Sequence, residues 1–422
     1  MGTTLLFVCL VVGFAMGLPI AIAIVGSVIV YMVVSGFDFY ALAQLMVSAA
    51  DSMTILAIPG FIIAGELMDS GGLSKRLVAF CEVFVSKIKG GLAAVSLLAS
   101  MMFAAISGSG IATTLSIGGI MVPEMEKRGY PKAYAAATAA AGGVLGPIIP
   151  PSIGIVVYGA ATGVSITAMF KAGFSVGIFV GIVLILYSLL WCSRRYKLPV
   201  GVSRGSFKET MRTVGKALPA IGAPVIIAGG IFSGLFTPTE ASVVTIAYSL
   251  VVGLFVYKEL TFKKIRTALF KSAGSVSSLM LIQVFAALFG YVLTIERVPN
   301  SVLNAISSIS SNIFVLLLII NVVLLILGCF MSGLTIIVIS APLLTPLATF
   351  LGMDQIHFAM MMLVNLGIGQ ISPPFGNCLY AGVMVSNEPF SKVCKYIWGF
   401  VITYVVSLIF VIAIPGISTI FL

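Results

Sequence analysis

The stretch Gly146–Gly154, GPIIPPSIG, places three prolines and two glycines in a chain that is 60% hydrophobic and only 9% charged. A similar stretch, GQISPPFGN, recurs at Gly369–Asn377. Proline removes a backbone donor and clashes with the preceding helical turn, and glycine lets the chain leave helical geometry. Each stretch therefore predicts a helix that opens for several residues in the middle of a hydrophobic segment.

The hydrophobic segments around these stretches are too many and too long for a soluble core. The 422 residues predict an all-α polytopic membrane protein. The first residues, MGTTLLFVCLVVGF, lack a basic region and a cleavage site, so we expect a retained membrane segment and not a signal peptide. The net charge of +10 fits basic loops on the cytoplasmic side and does not indicate nucleic-acid binding. The six cysteines lack CxxC spacing and indicate neither a metal site nor disulfides.

The chain contains an internal duplication. Placing Ser107-Gly108 over Ser332-Gly333 fixes an offset of 225 residues, and a two-residue slip then brings Pro150-Pro151 onto Pro373-Pro374. Two paired motifs in the same order predict two repeats. We assign the first repeat to 1–193, a cytoplasmic linker to 194–216 and the second repeat to 217–422.

The loop charges predict that the repeats are inverted. The basic loops 74–89 and 127–132 correspond to loops without basic residues in the second half, whereas the basic segment 258–271 corresponds to a first-half segment without Lys or Arg. Equivalent loops then lie on opposite sides of the membrane. With 194–216 and 385–395 also cytoplasmic, all Lys and Arg except Lys171 and Arg297 lie inside, and the C-terminus is periplasmic.

This topology predicts a re-entrant helical hairpin and a broken transmembrane helix in each repeat. The hairpins are 90–126, turning at Ser107-Gly108, and 313–348, turning at Ser332-Gly333. The broken helices are 133–160 and 356–384. Residues 1–35 form one long span or two short ones, and 38–52 and 258–272 are predicted to be interfacial helices.

Breaks and hairpin tips at similar depth can meet near the midplane. Open backbone there is costly unless it lines a cavity or binds an ion. Carbonyl and hydroxyl oxygens suit a hard cation such as sodium, and helix N-termini favour an anion. The alternative is that the glycines only allow close packing and the prolines only produce kinks. The candidate side-chain oxygens are those of Ser107, Ser109, Thr113, Thr114, Ser152, Ser332, Thr335, Ser372 and Asn377.

Other candidates are weaker. Glu66, Asp69, Glu124 and Glu240 lie near the ends of predicted spans, where anchoring or a polar contact is expected, with proton coupling through Glu66 or Glu240 as the alternative. His357, the single histidine, is expected at the interface. The sequence has no GxxxxGK[ST], HExxH or GxSxG motif, so we expect no ATP-driven pump and no enzyme.

Five segments together resemble the large membrane subunit of tripartite ATP-independent periplasmic (TRAP) transporters over essentially the whole chain. They are AIPGFIIAGELMDSGGLSKRL, SGSGIATT, GPIIPPSIGIVVYG, GGIFSGLFTPTEASVV and GQISPPFGNCLY. The resemblance implies uptake of an organic acid, such as a C4-dicarboxylate, a sugar acid or sialic acid, across a bacterial inner membrane by an elevator mechanism. It implies sodium as the coupling ion and no other cofactor.

The resemblance also implies two protein partners, a periplasmic substrate-binding protein and a small membrane subunit of about four helices. We expect the small subunit to be a separate polypeptide. The implied substrate residues are Ser109, Ser152 and Asn377. The implied sodium residues are Ser107, Gly108, Gly146, Pro150, Ser332, Gly333, Thr335, Gly369 and Ser372.

Two alternatives remain open from the sequence. One is a self-sufficient anion–sodium symporter or exchanger that needs no binding protein. The other is a membrane scaffold that transports nothing and should not be stabilised by sodium.

Overall fold

The computed structural model describes residues 2–37, 39–53, 55–85, 90–195, 207–310 and 312–422. Within these ranges the regular secondary structure is helical, and no strand occurs in them. Seven of the described helices are long and apolar enough to cross a membrane. The protein is therefore an all-α, multi-pass membrane protein, as predicted.

The first half contains ten helices in the described ranges. They are α1 (Gly2–Ala15), α2 (Ile20–Ser35), α3 (Phe39–Ala50), α4 (Ala57–Ser70), α5 (Leu73–Val85), α6 (Gly91–Ser107), α7 (Gly110–Lys127), α8 (Lys132–Gly143), α9 (Ile153–Thr162) and α10 (Ile166–Arg195).

The second half also contains ten α-helices in the described ranges. They are α11 (Phe207–Phe232), α12 (Pro238–Val251), α13 (Phe262–Ile295), α14 (Val298–Ile309), α15 (Ile313–Phe330), α16 (Gly333–Phe350), α17 (Gln355–Gly369), α18 (Asn377–Ser386), α19 (Phe390–Ala413) and α20 (Gly416–Thr419). One π-helical turn, Val252–Val256, extends α12.

Both re-entrant hairpins and both broken helices form as the sequence predicts. The first hairpin is α6 and α7, and the first broken helix is α8 and α9 with 144–152 open between them. The second hairpin is α15 and α16, and the second broken helix is α17 and α18 with 370–376 open. The open segments carry the two proline pairs, and the bonds Pro150-Pro151 and Pro373-Pro374 are both cis.

The N-terminal residues form two short helices. A Cβ placed on Gly2 would contact Tyr31, and one placed on Gly13 would contact Ala23, so α1 and α2 lie antiparallel. The turn between them contains Gly17, whose φ of 74° lies in the left-handed region, and Pro19. Of the two alternatives for 1–35, the structure has two helices.

The prediction of a separate interfacial helix at 258–272 is wrong. Residues from Phe262 onward belong to α13, a continuous helix of 34 residues. The equivalent first-half segment is interrupted between α3 and α4, where Pro59 lies in the first turn of α4. No proline occurs between Pro238 and Pro299, so no proline interrupts α13.

Both ends of the predicted linker 194–216 are helical. Helix α10 continues to Arg195, and α11 begins at Phe207. Residues 196–206 lie outside the described part of the chain. The last ten residues assigned to the linker are thus the start of a helix.

The helices form two groups. The hairpins and broken helices, with α10 and α19, pack together, and we call this group the core body. Helices α1, α2, α4, α11, α12 and α13 pack mainly on one another, and we call them the outer body. Helix α5 packs on α11 of the outer body and on α6 of the core body.

The two halves of the chain interlock inside the core body. Helix α16 of the second hairpin packs on α9, and α18 packs on α7 and α8. The hydroxyls of Tyr158 and Thr345 are 2.6 Å apart, and Tyr404 donates a hydrogen bond to the carbonyl of Ala141 at 2.7 Å. This interlocking brings both hairpin tips and both breaks to one place.

Candidate functional site

The first hairpin tip is a tight turn held by backbone contacts. Gly108 has a φ of 59°, a left-handed conformation that suits glycine. Ser109 then caps α7 by accepting a hydrogen bond from the amide of Ala112 at 3.4 Å. The amide of Ile153, at the start of α9, donates to the carbonyl of Gly108 at 3.3 Å. The tip is therefore attached directly to the first break.

The first break packs its backbone against the same tip. A Cβ placed on Gly146 would lie 2.6 Å from the carbonyl carbon of Ser109. Ser152 caps α9 by accepting from Ile155, and its hydroxyl donates to the carbonyl of Pro147 at 2.5 Å. The absence of a side chain at position 146 allows tip and break to touch.

A cluster of neutral oxygens lies inside the first tip. The hydroxyl oxygens of Ser107 and Thr113 are 2.8 Å apart, and the Thr113 hydroxyl donates to the carbonyl of Ser109 at 2.8 Å. Thr113 is fully buried and Ser107 nearly so. Oxygens of this kind are the ligands that hard cations prefer.

The second tip is built from side chains instead of a left-handed glycine. Ser332 caps α16 by accepting from the amide of Thr335 at 3.3 Å, and the two hydroxyl oxygens are 2.6 Å apart. Thr335 is buried and Ser332 is half-buried. This pair is the second-half counterpart of the Ser107–Thr113 pair.

The second break packs on the hairpin arm α15. A Cβ placed on Gly369 would lie 2.5 Å from the Cα of Gly328. The Ser372 hydroxyl donates to the carbonyl of Ile368 at 2.8 Å. The amides of Cys378 and Leu379 both donate to the carbonyl of Gln370, which fixes the start of α18 against the end of α17.

Four helix N-termini meet around one cavity of about 90 Å³. Helices α7, α9, α16 and α18 all begin at its wall, two from hairpin tips and two from breaks. No described lining residue is basic or acidic. Helix N-termini carry partial positive charge, so this arrangement favours an anion without a basic side chain.

Some of the predicted sodium and substrate residues line the cavity and others do not. Of the predicted sodium and substrate residues, those that line it are Gly108, Ser109, Ser332, Gly333 and Asn377. Gly146, Thr335, Gly369 and Ser372 lie in the tips and breaks but do not line this cavity, and Ser107 lines an adjoining cleft instead. Ser152 is buried as a helix cap, and Pro150 packs towards Gly173 of α10, where a Cβ would be 3.6 Å from its Cδ.

A larger cleft of about 640 Å³ adjoins the cavity. Ser109, Ile153 and Leu334 line both. The cleft runs between α4 and α13 of the outer body and the first tip, and it reaches Glu66 and Lys271. In the topology derived from loop charges this end is cytoplasmic.

A sequence model of the tripartite ATP-independent periplasmic transporter, DctM component, matches residues 3–417. The chain belongs to the DctM family. It is 38% identical over 377 residues to the C4-dicarboxylate TRAP transporter large permease protein DctM of Pseudomonas aeruginosa, covering 89% of this chain and 88% of that one. The family resemblance expected from the sequence is thereby confirmed.

Two further comparisons are with another permease relative and with a solved structure. The chain is 36% identical over 408 residues to the isethionate TRAP transporter permease protein DctMQ of Oleidesulfovibrio alaskensis, covering 96% of this chain but 64% of that one. It also matches the crystal structure of the Alcanivorax borkumensis YdaH transporter with a TM-score of 0.64 and 15% identity, over 90% of this chain and 88% of that one. The second likeness shows a shared fold and supports the predicted fold class.

Sequence reasoning missed one residue of this DctM-family site. Gln370 lines the cavity and its side-chain amide lies beside Gly110 of the first hairpin and Gly333 of the second. The only signal in the sequence was a long polar side chain next to the glycine of GQISPPFGN. Its position between the tips depends on how the two halves pack.

The four acidic residues and the histidine all have polar partners. Glu66 pairs with Lys271 at 2.8 Å, Asp69 accepts from the Ser74 hydroxyl, Glu124 pairs with Arg128, and Glu240 completes a capping box with Thr237. His357 is buried, with Nδ1 2.6 Å from the Ser418 hydroxyl. These contacts account for their positions as anchors and caps.

Proposed function

We propose that this DctM-family chain is the membrane component of a sodium-coupled importer for an organic acid anion. The observation that carries the proposal is the meeting of four helix N-termini at one cavity whose described lining contains no charged side chain. Relatives named for C4-dicarboxylate and for isethionate, both organic anions, support this substrate class. Partial charges of the helix termini would balance the anion.

Sodium is proposed as the coupling ion because the oxygens behind the cavity are neutral and numerous. The Ser107–Thr113 and Ser332–Thr335 hydroxyl pairs lie one in each tip, beside opened backbone. Cations held there would add positive charge next to the anion. Binding of ion and substrate would then favour each other.

An elevator movement is proposed for transport. In it the core body carries the cavity across the membrane past the outer body. Two features support the movement: the halves interlock within the core body, and the cleft lies between the two bodies. The cleft reaches the proposed cytoplasmic side, so this arrangement corresponds to release of substrate into the cell.

The family also supports two partners, a small membrane subunit and a periplasmic binding protein that delivers the substrate. The proposed location is the bacterial inner membrane, with the C-terminus in the periplasm. The residues proposed to contact the anion are Ser109 and Asn377, which line the cavity. Ser152 is proposed to act only by capping α9.

Reconstitution tests the proposal. Proteoliposomes containing this chain and its small partner, with the cognate binding protein outside, would be given an inward sodium gradient and labelled succinate, isethionate or a sialic acid. We expect uptake of one organic acid that requires both sodium and the binding protein. A potassium gradient of equal size is the control for sodium specificity.

Other outcomes separate the alternatives. Uptake without the binding protein would favour a self-sufficient carrier. No uptake by folded protein under any gradient, together with a melting temperature that sodium does not raise, would favour a scaffold.

A further inference from the structure

The side-chain amide of Gln370 lines the cavity and lies between the two hairpins. Its Oε1 lies 3.0 Å from where a Cβ on Gly110 would be, and its Nε2 lies 2.9 Å from where a Cβ on Gly333 would be. Gly110 begins α7 and Gly333 begins α16. One amide therefore contacts both hairpins and belongs itself to the second break.

The two ends of this amide are not equivalent. Oε1 accepts a hydrogen bond from the thiol of Cys378 at 3.4 Å. The backbone carbonyl of Gln370 is fixed by the amides of Cys378 and Leu379, so the base of the side chain is held in place as well. With Oε1 engaged, the amide hydrogens of Nε2 point away from Cys378.

The described part of the chain offers no hydrogen-bond acceptor to Nε2. The Gln370 residue is half-buried and lines the cavity, so the two donors of its amide nitrogen can reach a group that enters there. The cavity beside it is lined by four helix N-termini, which also present donors and no acceptor charge. Nε2 is therefore placed to donate to an acceptor that enters the cavity.

We propose that Gln370 binds the transported anion directly, with Nε2 donating a hydrogen bond to a carboxylate or sulfonate oxygen. This inference rests on the proposed function and deepens it by naming a substrate-contacting side chain. Because the same amide touches both hairpins, the bound oxyanion would link the second break to the two tips. Hydrogen bonds to a charged acceptor are stronger than those between neutral groups, so the contribution to affinity should be measurable.

Two substitutions test the role. Gln370→Met keeps the length of the side chain but removes the donor, and we expect the KM for the transported acid to rise about tenfold. Gln370→Glu keeps the shape but places a carboxylate against the anion, and we expect uptake to fall at least about a hundredfold. The measurement is initial uptake in the reconstituted system, using whichever of succinate, isethionate or sialic acid the wild-type protein transports.

Gln355→Glu is the matched control. Gln355 lies at the start of α17, the helix that ends just before Gln370, outside the cavity, and its amide donates to the Thr349 hydroxyl at 3.3 Å on the surface. We expect less than a twofold change in KM for this variant. The rise in melting temperature on adding sodium should be kept in all three variants, because Gln370 contacts the anion and not the cation.

The outcomes are distinguishable from failure of the proposed function itself. If the wild-type protein shows no sodium-dependent uptake, the proposed function fails. If it transports but Gln370→Met has an unchanged KM, the role of Gln370 is refuted. If a Gln370 variant loses both uptake and the sodium-dependent rise in melting temperature, the role is also refuted, because Gln370 would then only support the fold. Should the Met variant not fold, the Glu variant decides, and wild-type-like uptake by it would overturn the proposal.

Discussion

The two hairpin tips turn, and contact their breaks, in different ways. The first tip turns at a left-handed glycine, and its backbone is hydrogen-bonded to the first break through Ile153 and Gly108. The second tip turns through Met331 and Ser332, and it meets its break through the side chain of Gln370. Residues 148–152 of the first break are buried, whereas Pro374 and Phe375 of the second are exposed.

This difference suggests a division of roles between the halves. Contacts between backbones leave little freedom, because neither partner can change rotamer. A contact through a long side chain can be lost and remade with little movement of the helices. We therefore expect the first tip to be the fixed wall of the cavity and the second tip to be the wall that adjusts when ligand enters.

Substitution of the tip glycines should give the largest difference. In Gly108→Ala the new Cβ would meet the carbonyl oxygen of Pro151 at 2.5 Å in a left-handed residue, so we expect a loss of about 2–5 kcal/mol in the free energy of unfolding. In Gly333→Ala the one close approach of the Cβ among its nearest contacts is to the end of the Gln370 side chain at 2.9 Å, so about 1 kcal/mol is expected. Thermal melting in detergent measures both.

Gly163→Ala is the control for these variants. Gly163 also has a positive φ, 77°, but a Cβ there would meet nothing within 4 Å. Its cost should be the left-handed strain alone, about 1–2 kcal/mol. Equal losses for Gly108→Ala and Gly333→Ala would contradict the proposed difference between the tips.

Glycine substitutions in the two breaks should have similar effects on uptake, unlike the substitutions in the two tips. Gly146 and Gly369 both approach another backbone so closely that a Cβ would lie 2.6 Å or 2.5 Å from it. We expect each Gly→Ala change to lower sodium-dependent uptake about tenfold or more, because helix and hairpin must separate. Gly119→Ala, where a Cβ meets nothing within 4 Å, should have no effect. A large loss for only one break would extend the asymmetry beyond the tips.

Removal of tip hydroxyls should have a moderate and similar effect in both halves. Ser107→Ala and Ser332→Ala each remove one proposed sodium ligand, and the sodium concentration for half-maximal uptake should rise about fivefold, equivalent to about 1 kcal/mol. Ser152→Ala should lower stability by about 1 kcal/mol through loss of the helix cap without changing the sodium requirement. An equal change in the sodium requirement for Ser152→Ala would argue against ligand roles for the tip hydroxyls.

The smallest effect is expected at the mouth of the cleft beside the first tip. The Lys271 side chain is 66% exposed in its pair with Glu66, so Glu66→Gln should change stability by less than about 1 kcal/mol. Uptake should change by less than about twofold and depend more weakly on ionic strength. Tyr291→Phe, at the equivalent second-half position, is the control, and a larger effect of Glu66→Gln would give this ion pair a role in proton coupling or release.

Much of the fold could be predicted because its signals are local. Proline and glycine define the breaks at GPIIPPSIG and GQISPPFGN, and the paired SG motifs define the hairpin tips. The prediction of a separate helix at 258–272 is wrong because a basic segment at a membrane surface has the same composition whether its helix ends there or continues into a span. Whether α13 continues depends on the absence of a helix-breaking residue further along the chain, and the composition of a short segment does not show this.

The sequence alone determined that the chain spans a membrane, repeats itself, and opens two helices at fixed positions, since hydrophobic length, loop charge and backbone chemistry act within a few residues. Only the tertiary structure decided which polar groups face the cavity. In the folded protein the Ser152 hydroxyl caps a helix, Pro150 packs towards α10, and the Gln370 amide lies between hairpins from opposite halves. The physical reason is that packing partners distant in sequence help to set the direction of a side chain beside an open helix, as Gly110 of the first half does for Gln370.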